Sequence, residues 1–217
     1  VTDGEELGNI IAFGDDGNDL ESPAASIQFE VDGTPGANDM PGRILLNTTA
    51  DGATAVSEAV RIDSSQNSTF AGNVILADAS NLNISVPLLA GADHTTSGMT
   101  AQMLAGGAIA AFDLVCIHTT TQEVVEADAS AAATSRVIGI APAAISDTAT
   151  GTVLLQGFVR DDTWAWTTGG ALYLSETAGA MTHTAPTTDG AFVQVVGVAL
   201  SPDVVYINPS MDVIEHA

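Results

Sequence analysis

"FDLVCIHTTTQEVVEADASAAATSRVIGIA", Phe112–Ala141, lies over "GALYLSETAGAMTHTAPTTDGAFVQVVGVA", Gly170–Ala199, at a constant offset of 58 residues and without a gap. Leu114 falls on Leu172, Cys116 on Leu174, Val137 on Val195, Ile138 on Val196, Gly139 on Gly197 and Ala141 on Ala199. Each copy is followed by a further apolar run, "GTVLLQGFV" and "DVVYINP". Each half therefore reads as strand, turn, strand, long loop, strand, turn, strand. Residues 107–217 are expected to form one duplicated antiparallel β domain, with halves at 107–160 and 165–211. Two such halves supply roughly eight strands, enough to close a small barrel or to build a sandwich. Gly139 and Gly197 then mark bulges or close backbone approach at matching places.

Upstream, residues 1–76 read as a string of short strands. "NIIAF" ends in "GDDGND", "ASIQFEV" in "DGTPGAND" and "GRILLNTT" in "ADG". Turns rich in Gly, Asn and Asp tolerate positive φ, which punctuates β structure. Ile27, Phe29 and Val31 alternate onto one face, as do Ile44 and Leu46. "TAVSEAV" is the one stretch with helical spacing, through Val56 and Val60. So few large apolar residues make a thin core for one chain, and association of identical chains is the natural remedy. The region is expected to be a fibrous stalk whose strands intertwine in a homotrimer. Residues 77–106, rich in Ala, Ser, Thr and Gly, read as a linker with one or two strands. The chain as a whole is expected to be all-β. It opens abruptly on Val1 in a polar, strand-like region and so reads as a piece of a longer chain.

Charge narrows the function. The 217 residues hold 27 Asp and Glu against four basic residues, Arg43, Arg61, Arg136 and Arg160, for a net charge of −23. Nucleic acid needs clustered Lys or Arg, and this surface repels the phosphate backbone. Anionic membranes are disfavoured for the same reason, and no apolar run has the length of a membrane helix. Only 14% of residues are charged, so Thr, Ser, Asn, Gly and Ala must fill the surface, as in extracellular or particle-borne β proteins.

Signals for catalysis are sparse. His94, His118, His183 and His216 show no metal-ligand spacing and read as exposed loop residues. No G-x-S-x-G elbow is present. Cys116 falls on an apolar repeat partner and reads as a buried structural thiol. Asp15, Asp16 and Asp19 in "GDDGNDLE" form a candidate Ca²⁺ loop, although they lack full EF-hand spacing and suit a solvated turn better. No other cofactor is expected. Trp164 and Trp166 follow Asp161 and Asp162 in "RDDTWAW"; at i and i+2 they share a strand face. They are candidates for stacking on a glycan or for capping the core, and Arg160 is placed to pair with either Asp. A depolymerase would need two carboxylates across a groove, for which Asp161, Asp162 and Glu126 are the candidates. Arg61 and Asp63 in "SEAVRIDSSQNSTF" read as scaffold: Ile62 into a shared core, Arg61 outward toward Glu58 or Asp63, "DSSQN" as a turn.

That last stretch carries a resemblance. "PGRILLNTTADGATAVSEAVRIDSSQNSTFAGNV", Pro41–Val74, resembles a motif common in tail-fibre proteins of tailed bacteriophages. Gly42, Arg43, Ile44, Thr49, Asp51, Gly52, Arg61, Ile62, Asp63, Ser64 and Ser65 match it. Gln66 stands where the motif has Gly, and Ser68 where it has Val. Residues 107–217 are similar to small β domains of phage capsid-decoration proteins and fibres, through the "DLV" and "V-x-G-[IV]-A" strands. The resemblance implies a non-enzymatic virion structural protein, homotrimeric, on the outer face of the particle. Its partners would be its own copies, other virion proteins and a host-surface glycan or protein. It implies tail-fibre attachment first, and a capsid-decoration or head-fibre role second.

Overall fold

The computed structural model describes residues 1–75, 82, 84 and 92–217; the remainder of the 77–106 segment lies outside the described residues. The chain divides into two compact units, Val1–Asn81 and Leu82–Ala217. Both are built of antiparallel β-strands, and no helix occurs among the described residues.

The first unit is a five-stranded meander of β1 (Glu6–Gly14), β2 (Ser22–Val31), β3 (Gly42–Thr48), β4 (Ser57–Ile62) and β5 (Ser68–Phe70), paired in chain order. The helical spacing of "TAVSEAV" is overruled, because Ser57–Ile62 pairs along β3. Val56 and Val60 are spaced for a helix only if backbone bonds stay local, and here β3 supplies a free strand edge.

A bulge in β4 decides which way Arg61 points. Asn47 pairs with Glu58 but Leu46 pairs with Val60, leaving Ala59 as the extra residue. A bulge inserts one residue and reverses the alternation beyond it. Glu58 and Arg61 consequently share a face, and Arg61 Nη2 donates to Glu58 Oε2 at 2.6 Å. Ile62, opposite Ile44, faces the other way.

The β4–β5 turn rests on Asp63. Its carboxylate accepts the N–H groups of Ser65 and Asn67, both at 2.9 Å. The Asn67 side-chain amide first, then these backbone bonds, hold its carboxyl below the usual carboxylate range. The turn requires φ of 66° at Gln66, a left-handed conformation that costs an L-residue roughly 1 kcal/mol relative to Gly. Gln66→Gly is expected to raise the first unit's stability by about 1 kcal/mol, read as a shift in its urea midpoint.

The second unit contains β6 (Thr96–Leu104), β7 (Leu114–Ile117), β8 (Val124–Glu126), β9 (Val137–Ile140), β10 (Thr150–Arg160), β11 (Ala171–Leu174), β12 (Met181–Thr182), β13 (Phe192–Val193), β14 (Val195–Ala199), β15 (Val204–Ile207) and β16 (Ile214–Glu215). Its main sheet runs β12-β11-β14-β15-β10-β9-β7-β8, with β6 also on β10, and β13 pairs separately with β16. Of the two forms expected, barrel or sandwich, the closed barrel does not form. β8 and β12, the two ends of the sheet, have three and two residues and do not pair with each other. Such short ends offer too little ladder to close a barrel and leave little edge exposed. β6 places residues 96–104, expected as linker, within this unit.

Strand β10 joins the two halves. One edge carries β6; the other is shared by β9, at Leu154, and β15, from Gly157 to Arg160. The core is shared as well, with Leu114, Cys116, Ile140 and Leu154 packed in one cluster with Leu172, Leu174, Val196 and Ile207. Val115 turns to a second cluster with Val124, Ile145 and Val153, so β7 is buried on both faces.

The β7–β9 and β11–β14 pairs look alike in detail. Each carries a bulge, at Ile138 in one and Val196 in the other. Beside it, Gly139 and Gly197 lie against the neighbouring backbone: a Cβ at either would come within 3.0 Å of the Leu154 or Tyr206 carbonyl oxygen. The first strands align differently from the constant offset, however. Phe112 N–H donates to Ala141 O in one half, and Gly169 N–H to Ala199 O in the other. Phe112 and Gly169 also share positive φ, 66° and 78°. Leu114 thus takes the place of Ala171 rather than Leu172, a one-residue slip absorbed in the loop that follows.

Candidate functional sites

The meander exposes its apolar face. Across the strands Ile10, Ile27, Leu46, Val60 and Phe70 stand in one row, and Gly8, Phe29, Ile44, Ile62 and Ser68 in the next. Neither row contains a charged residue. Ile10 is 64% exposed and Phe70 51%, while Ile27, Phe29, Ile44, Leu46 and Ile62 are all close to two-fifths exposed. Val31 and Leu45 are the only buried apolar residues of this unit among those described.

The opposite face is polar and satisfied. Arg43, its side chain 14% exposed, donates through Nε to Glu30 at 2.7 Å and through Nη1 to Asp32 at 3.1 Å. The other Asp32 oxygen accepts the Ser64 N–H at 2.7 Å, tying β3 to the β4–β5 turn. That bond first, and Arg43 after it, hold the Asp32 carboxyl below its usual range. Asn47 donates to Ser26 at 3.0 Å in the same layer. Ordinary amphipathic sheets bury the apolar side and hydrate the polar one; this sheet leaves most of its apolar side about two-fifths exposed or more within one chain.

In the second unit the candidates gather where β6 begins and β10 ends. The β6–β10 ladder pairs Thr96 with Val159, and Arg160 N–H donates to Thr95 O. That pairing carries Asp93 and His94 beside Asp161 and Asp162, and Asp162 N–H donates to Asp93 at 2.9 Å. Asp161, 7% exposed, accepts the Thr163 N–H and hydroxyl at 2.8 and 2.6 Å. Arg160 chooses Asp162, Nε to Oδ1 at 2.7 Å.

Trp164 and Trp166 are half-buried against the core. They belong to a row of rings in which His94 meets Phe112 at 5.1 Å, Phe112 meets Trp164 at 5.6 Å, Trp164 meets Trp166 at 5.9 Å, and Trp166 meets His183 at 4.9 Å. His183 is fixed by accepting the Thr167 N–H at 2.9 Å.

The acidic loop behaves as a turn. Asp15 accepts Gly17 N–H, Asp16 accepts Asn18 and Asp19 N–H and the Ser22 hydroxyl, and Asp19 accepts Glu21 N–H. These bonds hold the Asp16 carboxyl below its usual range. Their donor atoms do not converge on one point. Among the described residues the group that does is Asp93, His94 and Asp161. Cys116 is buried and its thiol is pushed up to about 11 by burial, which makes it inert. Glu126 is shifted the other way from the Asp carboxyls: burial, then Asp113 beside it, push it up. No protein-family model and no curated protein matches the chain.

Proposed function

We propose that this chain is a non-enzymatic structural protein of a tailed-bacteriophage virion, a segment of a tail fibre that takes part in host attachment. The observation that carries the reading is the open apolar face of the first unit. A sheet that hydrogen-bonds its polar side internally and leaves two uncharged apolar rows exposed is built to be covered by further copies. Three chains packing these faces together form the stalk. The second unit, a duplicated β domain whose halves share a bulge, a glycine and a positive-φ residue, forms the head. Trp164 and Trp166, flanked by Asp161 and Asp162, are the surface assigned to a host glycan or protein.

The depolymerase alternative is weaker on the chemistry of its carboxylates. Asp161 is engaged by Thr163, Asp162 is neutralised by Arg160, and Glu126 faces Asp113 rather than an opposing catalytic group. Gold-labelled antibody against the second unit, applied to purified phage particles, tests the assignment. Label along tail fibres is expected. Label over the capsid would move the protein to the decoration or head-fibre role, and absence from purified particles would overturn the proposal.

A further inference from the structure

We propose that Asp93, His94 and Asp161 form a binding site for a divalent transition-metal ion of the Zn²⁺ class. One donor atom from each lies within 4.8 Å of the other two. His94 Nε2 is 3.7 Å from Asp93 Oδ2 and 3.9 Å from Asp161 Oδ1. Both distances are too long for hydrogen bonds. They suit donors arranged around an absent centre. Ligands about 2.0–2.2 Å from one ion stand roughly 3.0–3.5 Å apart, so the two His94–carboxylate pairs need to close by only a few tenths of an ångström, and the two carboxylates start within 4.8 Å of each other. Asp93 and His94 have exposed side chains that can make that movement.

The surroundings orient the donors. Asp93 is held by the N–H groups of His94 and Asp162, each at 2.9 Å. Asp161 is held by Thr163. Phe112 packs on the His94 ring. Hydrogen bonds to ligating carboxylates and packing against a ligating imidazole are how an outer shell fixes a metal site. The one nearby cation, Arg160, is neutralised by Asp162, and the net charge of −23 concentrates cations at the surface.

The donor set selects the metal. One imidazole with two carboxylates suits Zn²⁺ and its neighbours in the first row, whereas Ca²⁺ takes six to eight oxygen ligands. Three protein donors leave a fourth position for water. Bound there, the ion ties the residues that precede β6 to the end of β10, 67 positions later.

The test titrates full-length protein with Zn²⁺ by calorimetry, and with Co²⁺ by tryptophan emission. Trp164 is one ring away from His94, through Phe112, and Trp164 and Trp166 are the two tryptophans of the chain. One Zn²⁺ per chain and quenching by Co²⁺ are expected. His94→Gly suits the left-handed backbone there, φ 58°, and removes a ring that is 58% exposed and rests on Phe112. It should weaken Zn²⁺ at least tenfold and abolish the quenching, with the metal-free protein still melting cooperatively. His118→Ala should change nothing. Absence of Zn²⁺ binding, equal affinity in His94→Gly, loss in His118→Ala, or tighter binding of Ca²⁺ than Zn²⁺ would each overturn the site.

Discussion

The double variant Ile27→Asp, Leu46→Asp is expected to scatter light as a monomer, where the proposed stalk predicts a trimer for the wild-type chain. The two residues sit opposite each other at the centre of the exposed apolar rows. Ile10, Ile27, Phe29, Ile44, Leu46, Ile62 and Phe70 of that face are 37–64% exposed, a contiguous uncharged patch of the kind that marks an interface. Fully burying one such side chain is worth about 1.5–3 kcal/mol before the entropy of association is subtracted. Two carboxylates buried there without partners would oppose that gain. The second unit should keep its own melting transition, because its core draws no residue from the first. A wild-type chain that scatters as a monomer would overturn the stalk. Loss of both transitions in the variant would mean that these positions serve folding rather than assembly.

Gly139→Ala is expected to destabilise the second unit by roughly 3 kcal/mol, lowering its melting temperature by about 10 °C. The φ of Gly139 is not positive, so the constraint is space alone. An added methyl would meet the Leu154 carbonyl oxygen and, at 2.9 Å, Val153 Cγ1. β10 cannot retreat, because Leu154 lies in the shared core and β6 holds its other edge. Gly197→Ala should behave alike, against the Tyr206 carbonyl. Gly107→Ala, with open space around it, is the control and should change stability by less than about 0.5 kcal/mol. Indifference at both positions 139 and 197 would remove the argument that the two halves use glycine for the same purpose.

Arg61 had few carboxylates within local reach and found Glu58, three residues away. Trp164 and Trp166 are partly buried against the core of the second unit, a placement that their spacing in "TWAW" does not specify. The one-residue slip between the halves was not legible. Gap-free alignment scores the matching of Leu114 to Leu172, whereas the fold matches hydrogen bonds, and loops absorb a residue without altering composition.

Alternation, turn residues and the repeat of "V-[IV]-G-[IV]-A" determined by themselves that this is an antiparallel β protein in two parts. They also marked Gly139 and Gly197 as constrained, since those signals are local and the backbone reads them locally. Tertiary structure alone decided three things. The bulge at Ala59 set the facing of Arg61, because it depends on register against β3. The main sheet stayed open, because closure depends on its end strands. The Asp93–His94–Asp161 cluster came together because the β6–β10 ladder, ending at Thr96 opposite Val159, brings the residues just before β6 beside those just after β10, a proximity that no spacing along the chain encodes.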